Sequence, residues 1–248
     1  MNVVLLRADE LDAHGHAQLD GDRAAHVIGV LALAVGGRFR IGVIEGPLGT
    51  AEITAIAPEG ALRIACTLDD AIPGLPRVDL VLALPRPKVL ARLLSPIAQL
   101  GVHRLILTGA WKVERFYFDA HILSPDAQRP LLIEGLAQAK DTRLPIVSVH
   151  RSFAFLLDHE LDALTLDASR VVVDPSATAR LESVVARVAS RRVVLAIGPE
   201  GGFTGRELQH LADRGFSAAS LGPRVLRSDV ASVAALARVH AVLAAETG

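Results

Sequence analysis

Val193-Val-Leu-Ala-Ile-Gly-Pro-Glu-Gly-Gly-Phe-Thr204 joins a short apolar run to a glycine-rich turn and ends on a helix-start signal. Its first five residues have the length of a buried strand. Gly201 and Gly202 permit positive φ and let a ligand approach the backbone closely, which a side chain would obstruct. Thr204 with Glu207 three residues later forms a capping-box pattern. A helix is therefore expected to begin there, with free N–H groups facing the loop. The stretch is not a phosphate loop, because no Lys follows the glycines, and its spacing differs from the dinucleotide fingerprint. Taken alone, the glycines would equally suit a tight strand–helix connection.

About twenty residues on, Leu221-Gly-Pro-Arg-Val-Leu-Arg-Ser-Asp-Val-Ala231 again follows a strand-like run and precedes a helical one. Ser228 is the expected N-cap, and Asp229 in the first turn complements the helix dipole. Arg224 and Arg227 are candidates to hold an anion or a nucleobase; exposed loop arginines are the plainer expectation. Ligands of open α/β sheets bind outside the carboxyl ends of strands. Two glycine-bearing loops at neighbouring strand ends therefore point to one cradle.

Outward from these loops, residues after Ile72-Pro-Gly-Leu-Pro76 alternate between strand-like and helical runs. Strands are expected at 78–84, 104–108, 171–173, 193–197 and 218–221, and helices near 89–100, 129–140, 179–189, 205–215 and 229–245. That alternation predicts a mostly parallel sheet covered by helices, an α/β domain over residues 73–248. Residues 1–72 read differently, with strands at 38–44, 50–56 and 61–67, a turn at Glu45-Gly-Pro-Leu-Gly49 and one helix around 22–33. A small β-barrel or sheet module is expected there.

The chain has 248 residues, of which 51% are hydrophobic, with a net charge of −1, so a disordered polymer is excluded. No apolar stretch is read as a membrane span or signal segment, and a soluble cytoplasmic protein is expected. One cysteine, Cys66, excludes an internal disulfide and a cysteine-based zinc cluster. Residues 1–72 hold 5 basic and 10 acidic residues and the rest 21 and 17, so any RNA contact needs a local arginine patch. His14 and His16 lack a third ligand nearby, and no metal is expected. Trp111-Lys-Val-Glu-Arg-Phe-Tyr-Phe118 is the densest aromatic–basic cluster. Ordinary packing of a β–α connection is the expectation for it, and a clamp on an unpaired base is the alternative.

Gly198-Pro-Glu-Gly-Gly-Phe-Thr204 followed by Leu221-Gly-Pro-Arg-Val-Leu-Arg227 resembles the RsmE family of ribosomal RNA methyltransferases, within the SPOUT superfamily. His26-Val-Ile-Gly-Val-Leu31, Leu100-Gly101-Val102 and Gln138 with Arg143-Leu-Pro145 extend the resemblance more weakly. It implies a C-terminal SPOUT α/β domain with a trefoil knot, and a small N-terminal PUA-like β-barrel domain. It also implies methylation of uridine N3 in 16S rRNA, with S-adenosyl-L-methionine as cofactor, by a homodimer formed through the C-terminal domain. The RNA partner would be small-subunit rRNA or the 30S subunit. Carried over residue by residue, Ile197, Gly198, Pro199, Glu200, Gly201 and Gly202 would form one cofactor wall. Leu221, Gly222, Val225, Leu226 and Arg227 would form the other.

For chemistry, Arg227 is the candidate to stabilise charge on the uracil oxygens, and Asp229 the candidate proton acceptor, with Glu200 a further possibility. A plain helix-start carboxylate is an equal reading of Asp229. The family commonly has Leu-Arg-Thr-Glu-Thr-Ala where this chain has Leu226-Arg-Ser-Asp-Val-Ala231. Ala32 and Asp141 stand where basic residues are usual, and Pro96 is expected to interrupt its helix. These departures leave two alternatives open: a divergent SPOUT enzyme with another RNA target, and a non-catalytic paralogue that binds RNA or the ribosome.

Overall fold

The computed structural model describes residues 3–187 and 192–245. By internal contacts the chain divides into Met1–Leu75 with Ile133–Leu144, and Pro76–Leu132 with Pro145–Gly248. The main break falls at the Pro-Gly-Leu-Pro punctuation, a few residues past the expected 72. Ile133–Leu144, expected inside the second domain, belongs instead to the first unit. Hydrogen bonds explain this. Val3 N–H donates to Ala137 O at 3.1 Å, Thr142 Oγ1 to Gly46 O at 2.6 Å, and Leu144 N–H to Glu45 Oε1 at 2.7 Å.

In the first unit, β1 (Val4–Leu6), β2 (His16–Leu19), β3 (Arg38–Val43), β4 (Leu48–Ile56) and β5 (Leu62–Leu68) form one sheet in the order β1-β3-β4-β5-β2. Only β1 and β3 run parallel. All five strands send apolar side chains, among them Leu6, Leu19, Ile41, Ile53 and Ile64, into a single core. The edge strands β1 and β2 escape the sequence reading because three or four residues carry too little periodicity. The helix expected over 22–33 is only α1 (Gly21–Ala25), continued by one wider turn, His26–Val30. Val27, Ile28 and Val30 crowd the preceding turn, and Gly29 adds backbone entropy.

The second unit carries six parallel strands: β6 (Val78–Ala83), β7 (Val102–Thr108), β8 (Ile146–His150), β9 (Ala168–Val173), β10 (Arg192–Ile197) and β11 (Phe216–Ala219). Their order is β11-β9-β10-β6-β7-β8. Central β6 is buried along its whole length, including Asp79, whose carboxylate accepts two hydrogen bonds from Arg192 at 2.7 Å. Burial on both faces is why these strands read as unbroken apolar runs. β11 lies two residues earlier than expected, since Ser220 pairs outside the strand with Arg180.

Helices cover both faces of this sheet. α2 (Pro87–Gln99), α3 (Pro125–Ala139), α4 (Phe153–Phe155), α5 (Leu161–Leu164), α6 (Leu181–Arg187), α7 (Gly205–Asp213) and α8 (Ser228–Ala245) complete the element list. α4, α5 and α7 contribute Phe153, Leu161 and Leu211 to one core cluster. α2, α6 and α8 pack together on other residues. Part of the helix expected at 179–189 falls on residues 188–191, outside those described. Pro96 does not interrupt α2: it sits in the last turn, and its own carbonyl accepts from Leu100 N–H at 3.0 Å. α8 meets the length and composition of a membrane span, with 18 residues at mean hydropathy 1.3, which corrects the sequence reading. Its buried residues, Ala231, Ser232, Ala235, Leu236, Val239 and Leu243, belong to a helix that packs against α2, α6, β6 and β10.

Candidate active site

β10 ends at Ile197, and the chain turns sharply through the glycines. Gly202 N–H donates to Pro199 O at 2.8 Å, and Gly202 sits at φ +69°, a conformation that favours glycine. Phe203 anchors the turn, buried and stacked on Phe153 with ring centroids 5.2 Å apart. Thr204 then caps α7. Its Oγ1 accepts from Glu207 N–H at 3.3 Å, while Glu207 Oε2 accepts from Thr204 N–H at 2.7 Å. The expected capping box is present.

The second loop leaves β11 through Ser220, whose Oγ accepts from Gly222 N–H at 3.1 Å. Gly222 has φ +123°, and Arg238 on α8 holds the Leu221 carbonyl at 2.8 Å. A third loop, after β9, closes the arrangement. There Asp174 Oδ1 accepts from Ser176 N–H and Oγ–H, both at 2.6 Å.

These three loops enclose a cavity of about 440 Å3. Ile197, Gly198, Pro199, Glu200, Gly201 and Gly202 line one side, and Leu221, Gly222, Val225 and Leu226 the other. Arg227 does not line it; its side chain is 74% exposed. Asp229 lies outside too, in a separate groove of about 370 Å3 with Val89, Leu93, Pro96, Val230 and Val233. It pairs with Arg227 at 3.4 Å and accepts from Val230 N–H at 2.9 Å. Glu200 faces the cavity and pairs with Arg86 at 3.6 Å. The structure thus brings the glycine walls together and sets two of the three candidate catalytic residues beside them, outside the cavity.

Some cavity residues were not singled out as ligand-binding. Asp174-Pro175-Ser176, which reads in the sequence as a strand-end turn near the cofactor edge, lines the cavity, as do Phe203, Leu208 and Ala231. Ser228 corrects an expectation. It is the first residue of α8, and its buried hydroxyl lines the cavity with no hydrogen-bond partner. An unpaired buried hydroxyl is costly unless a ligand satisfies it. A cavity of this size, walled by backbone turns and apolar side chains with the charged Asp174, Glu200 and Arg224 in its lining, suits an amphiphilic small molecule.

A wider groove of about 1330 Å3 lies on the far side of the Gly198–Gly205 turn. Trp111, Arg115, Phe118, Arg151, Arg206 and Glu207 are among its walls. Trp111 is 84% exposed and Phe116 66%, so these two rings depart from the packing expectation, while Tyr117 and Phe118 are half-buried and Val113 packs against the core. Trp111 N–H donates to Glu207 Oε1 at 2.7 Å, and Lys112 Nζ to Gly201 O at 2.5 Å, which fastens the aromatic loop to the glycine turn. The backbone N–H groups of His14 and His16 both donate to Asp12 Oδ1 at 2.8 Å. No group of three His, Cys, Asp or Glu side chains that could hold a metal ion occurs among the described residues.

Comparison with known proteins adds an independent line. A family model described as the RNA methyltransferase domain matches residues 73–240. The ribosomal RNA small subunit methyltransferase E of Treponema pallidum is 32% identical over 97% of this chain and 91% of its own. The protein of that name from Mycobacterium bovis is 27% identical, covering 96% and 92%. Among solved structures, the Neisseria gonorrhoeae methyltransferase of that name, bound to S-adenosyl methionine, superposes with a TM-score of 0.77. It covers 97% of this chain and 98% of its own at 19% identity, a likeness of fold.

Proposed function

The chain belongs to the RNA methyltransferase family, and from that premise we propose that it transfers a methyl group from S-adenosylmethionine to N3 of a uridine in small-subunit ribosomal RNA. The observation that carries this reading is the shared cavity of the two glycine loops, with the unpartnered Ser228 hydroxyl in its wall. The fold reading that goes with it is a SPOUT domain knotted through these loops, beside a PUA-like N-terminal β-barrel whose five strands share one core. The protein acts in the cytoplasm, on rRNA or on the 30S subunit.

The bound cofactor supplies an electrophilic methyl on a sulfonium. The protein's work is placement and charge. Backbone groups of Ile197–Gly202 and Leu221–Leu226 hold adenine and ribose, since Gly202 and Gly222 add no side chain between ligand and main chain. Ser228 Oγ gains the partner it lacks. Arg227 stabilises negative charge on the uracil oxygens, and Asp229 accepts the N3 proton; their mutual ion pair keeps both oriented. Glu200 orders its loop through Arg86. Because Arg227 and Asp229 stand outside the cavity, a second copy docked on Val89, Leu93, Val230 and Val233 would enclose them. That is the homodimer of this reading.

The test is calorimetric titration with S-adenosylmethionine, followed by incubation with small-subunit RNA lacking the modification and mass mapping of the product. Binding and a single N3-methyluridine are expected. Methyl at another base would turn the reading to a different RNA target. Silence with and without RNA would turn it to a non-catalytic relative.

A further inference from the structure

We propose that the groove beside the cavity is the track for an unpaired RNA strand, with Trp111 as the platform on which one base stacks. The proposal rests on the RNA methyltransferase reading and deepens it by saying where the substrate strand runs.

Four observations carry it. The Trp111 ring is 84% exposed, although the groove at its side could have buried it. An indole joins a large apolar face to a polar N–H, and tryptophan is enriched where proteins meet a partner. Second, the groove has the charge of a phosphate track. Arg115, Arg151 and Arg206 line it against one carboxylate, Glu207. Glu207 already accepts from Thr204 and Trp111, and Arg115 and Arg206 have no ion pair among the described residues. Arg151 lies over the Phe118 ring at 5.4 Å and pairs with Asp119 at 2.9 Å, a preset flat guanidinium face. This is the local arginine patch that a chain of net charge −1 needs for RNA.

Third, the groove is about three times the volume of the neighbouring cavity, room for several nucleotides rather than one small ligand. Fourth, the platform is registered to the cavity. Trp111 is tied through Glu207 to the α7 N-cap, and Lys112 to the carbonyl of Gly201 in the cavity wall. A base stacked on Trp111 is thereby held at a fixed offset from the cavity. Stacking on an exposed ring flanked by guanidinium groups selects single strands, because bases in a duplex keep their faces covered.

Trp111 is the one tryptophan of the chain, so its fluorescence reports on this groove without a label. Full-length protein is titrated with a single-stranded uridine-rich RNA of about ten nucleotides, a length suited to such grooves. Indole emission and the anisotropy of dye-labelled RNA are followed in parallel. Saturable quenching that tracks anisotropy is expected, with the same sequence as a duplex quenching far less. Trp111→Ala weakens binding about five- to hundredfold, and Trp111→Phe restores much of it. Arg206→Ala lowers the salt slope by about one.

Binding with unchanged emission, equal binding by Trp111→Ala, equal quenching by the duplex, or no RNA binding at all each overturns the proposal. Calorimetry with S-adenosylmethionine on the same preparation separates this from the wider reading. Quenching without cofactor binding keeps the groove and removes the methyltransferase. Cofactor binding and methyl transfer without quenching do the reverse.

Discussion

The cavity and the groove draw on successive parts of one segment, 197–203 for the cavity and 204–207 for the groove, yet each is shaped by a different kind of group. The cavity takes its shape from main chain at residues that lack side chains, Gly202 at φ +69° and Gly222 at φ +123°, with Asp174, Glu200 and Arg224 adding charge to its lining. The groove is walled by the largest side chains available, an exposed indole and three guanidinium groups. A backbone-built site tolerates little substitution, because any Cβ changes its wall. A side-chain-built site can lose one group and keep the others. Glu207 serves both at once, capping α7 at the turn and holding the Trp111 backbone.

The contrast can be broken at its foundation first. Asp79→Ala removes the fully buried carboxylate that accepts from Arg192 and should cost about 3 kcal/mol in urea unfolding. Cavity and groove should then fail together as denaturant rises. Separate loss of the two binding activities would show that they do not share a scaffold. Gly222→Val tests the cavity alone. A branched residue at φ +123° costs about 1–3 kcal/mol, so S-adenosylmethionine affinity should fall about ten- to hundredfold by calorimetry. Quenching of Trp111 by RNA should persist in that variant.

Glu207→Ala attacks the bridge between them. Loss of the capping box should lower stability by about 1 kcal/mol in thermal melts, and both ligands should weaken a few-fold together. The smallest effect concerns the far end of α7. His210 donates to Asp158, as does Arg214, and these hydrogen bonds hold the Asp158 carboxyl below its ordinary range. A depressed carboxyl supports the fold above its unfolded pKa and loses that support as pH falls through the folded value. Asp158→Asn should therefore fall slightly short of the parent's melting temperature at neutral pH, and the gap should close progressively as pH drops below about 4.

How far these two sites were legible follows from the same contrast. Glycines at fixed spacing after a strand are visible in a sequence, so the cavity walls could be named residue by residue. The aromatic groove could be noticed as Trp111–Phe118, but the sequence favoured packing over the base clamp it also offered. Whether a tryptophan is buried depends on what covers it, and a single sequence does not say. The parallel strands were plain because burial on both faces gives continuous apolar runs. β8 was not, since Ile146-Val-Ser-Val-His150 is a half-exposed edge with no clean alternation. The helical segment from Phe153 to Leu164 was missed for another reason. It contains a wider turn at Leu156–Glu160 that breaks the 3.6-residue period. Ser228 shows the limit at single-residue scale. One position separates a capping serine from a helical one, and only the latter leaves its hydroxyl in the cavity.

The interleaving of the two units along the chain has a consequence for how the protein is made. Ile133–Leu144 completes the first unit, so its N-terminal 75 residues leave the ribosome before their own last segment exists. Central β6 must likewise wait for β10, whose register pairs Val78 with Val193. Neither unit can close early during synthesis. One edge of the apolar strand Val78–Ala83 pairs with β7 soon after it is made, but the other stays open until β10 emerges, at about 5–20 residues per second. Expression yield should therefore respond to chaperone supply and to slowed translation near residue 197 more than to the stability of the finished fold.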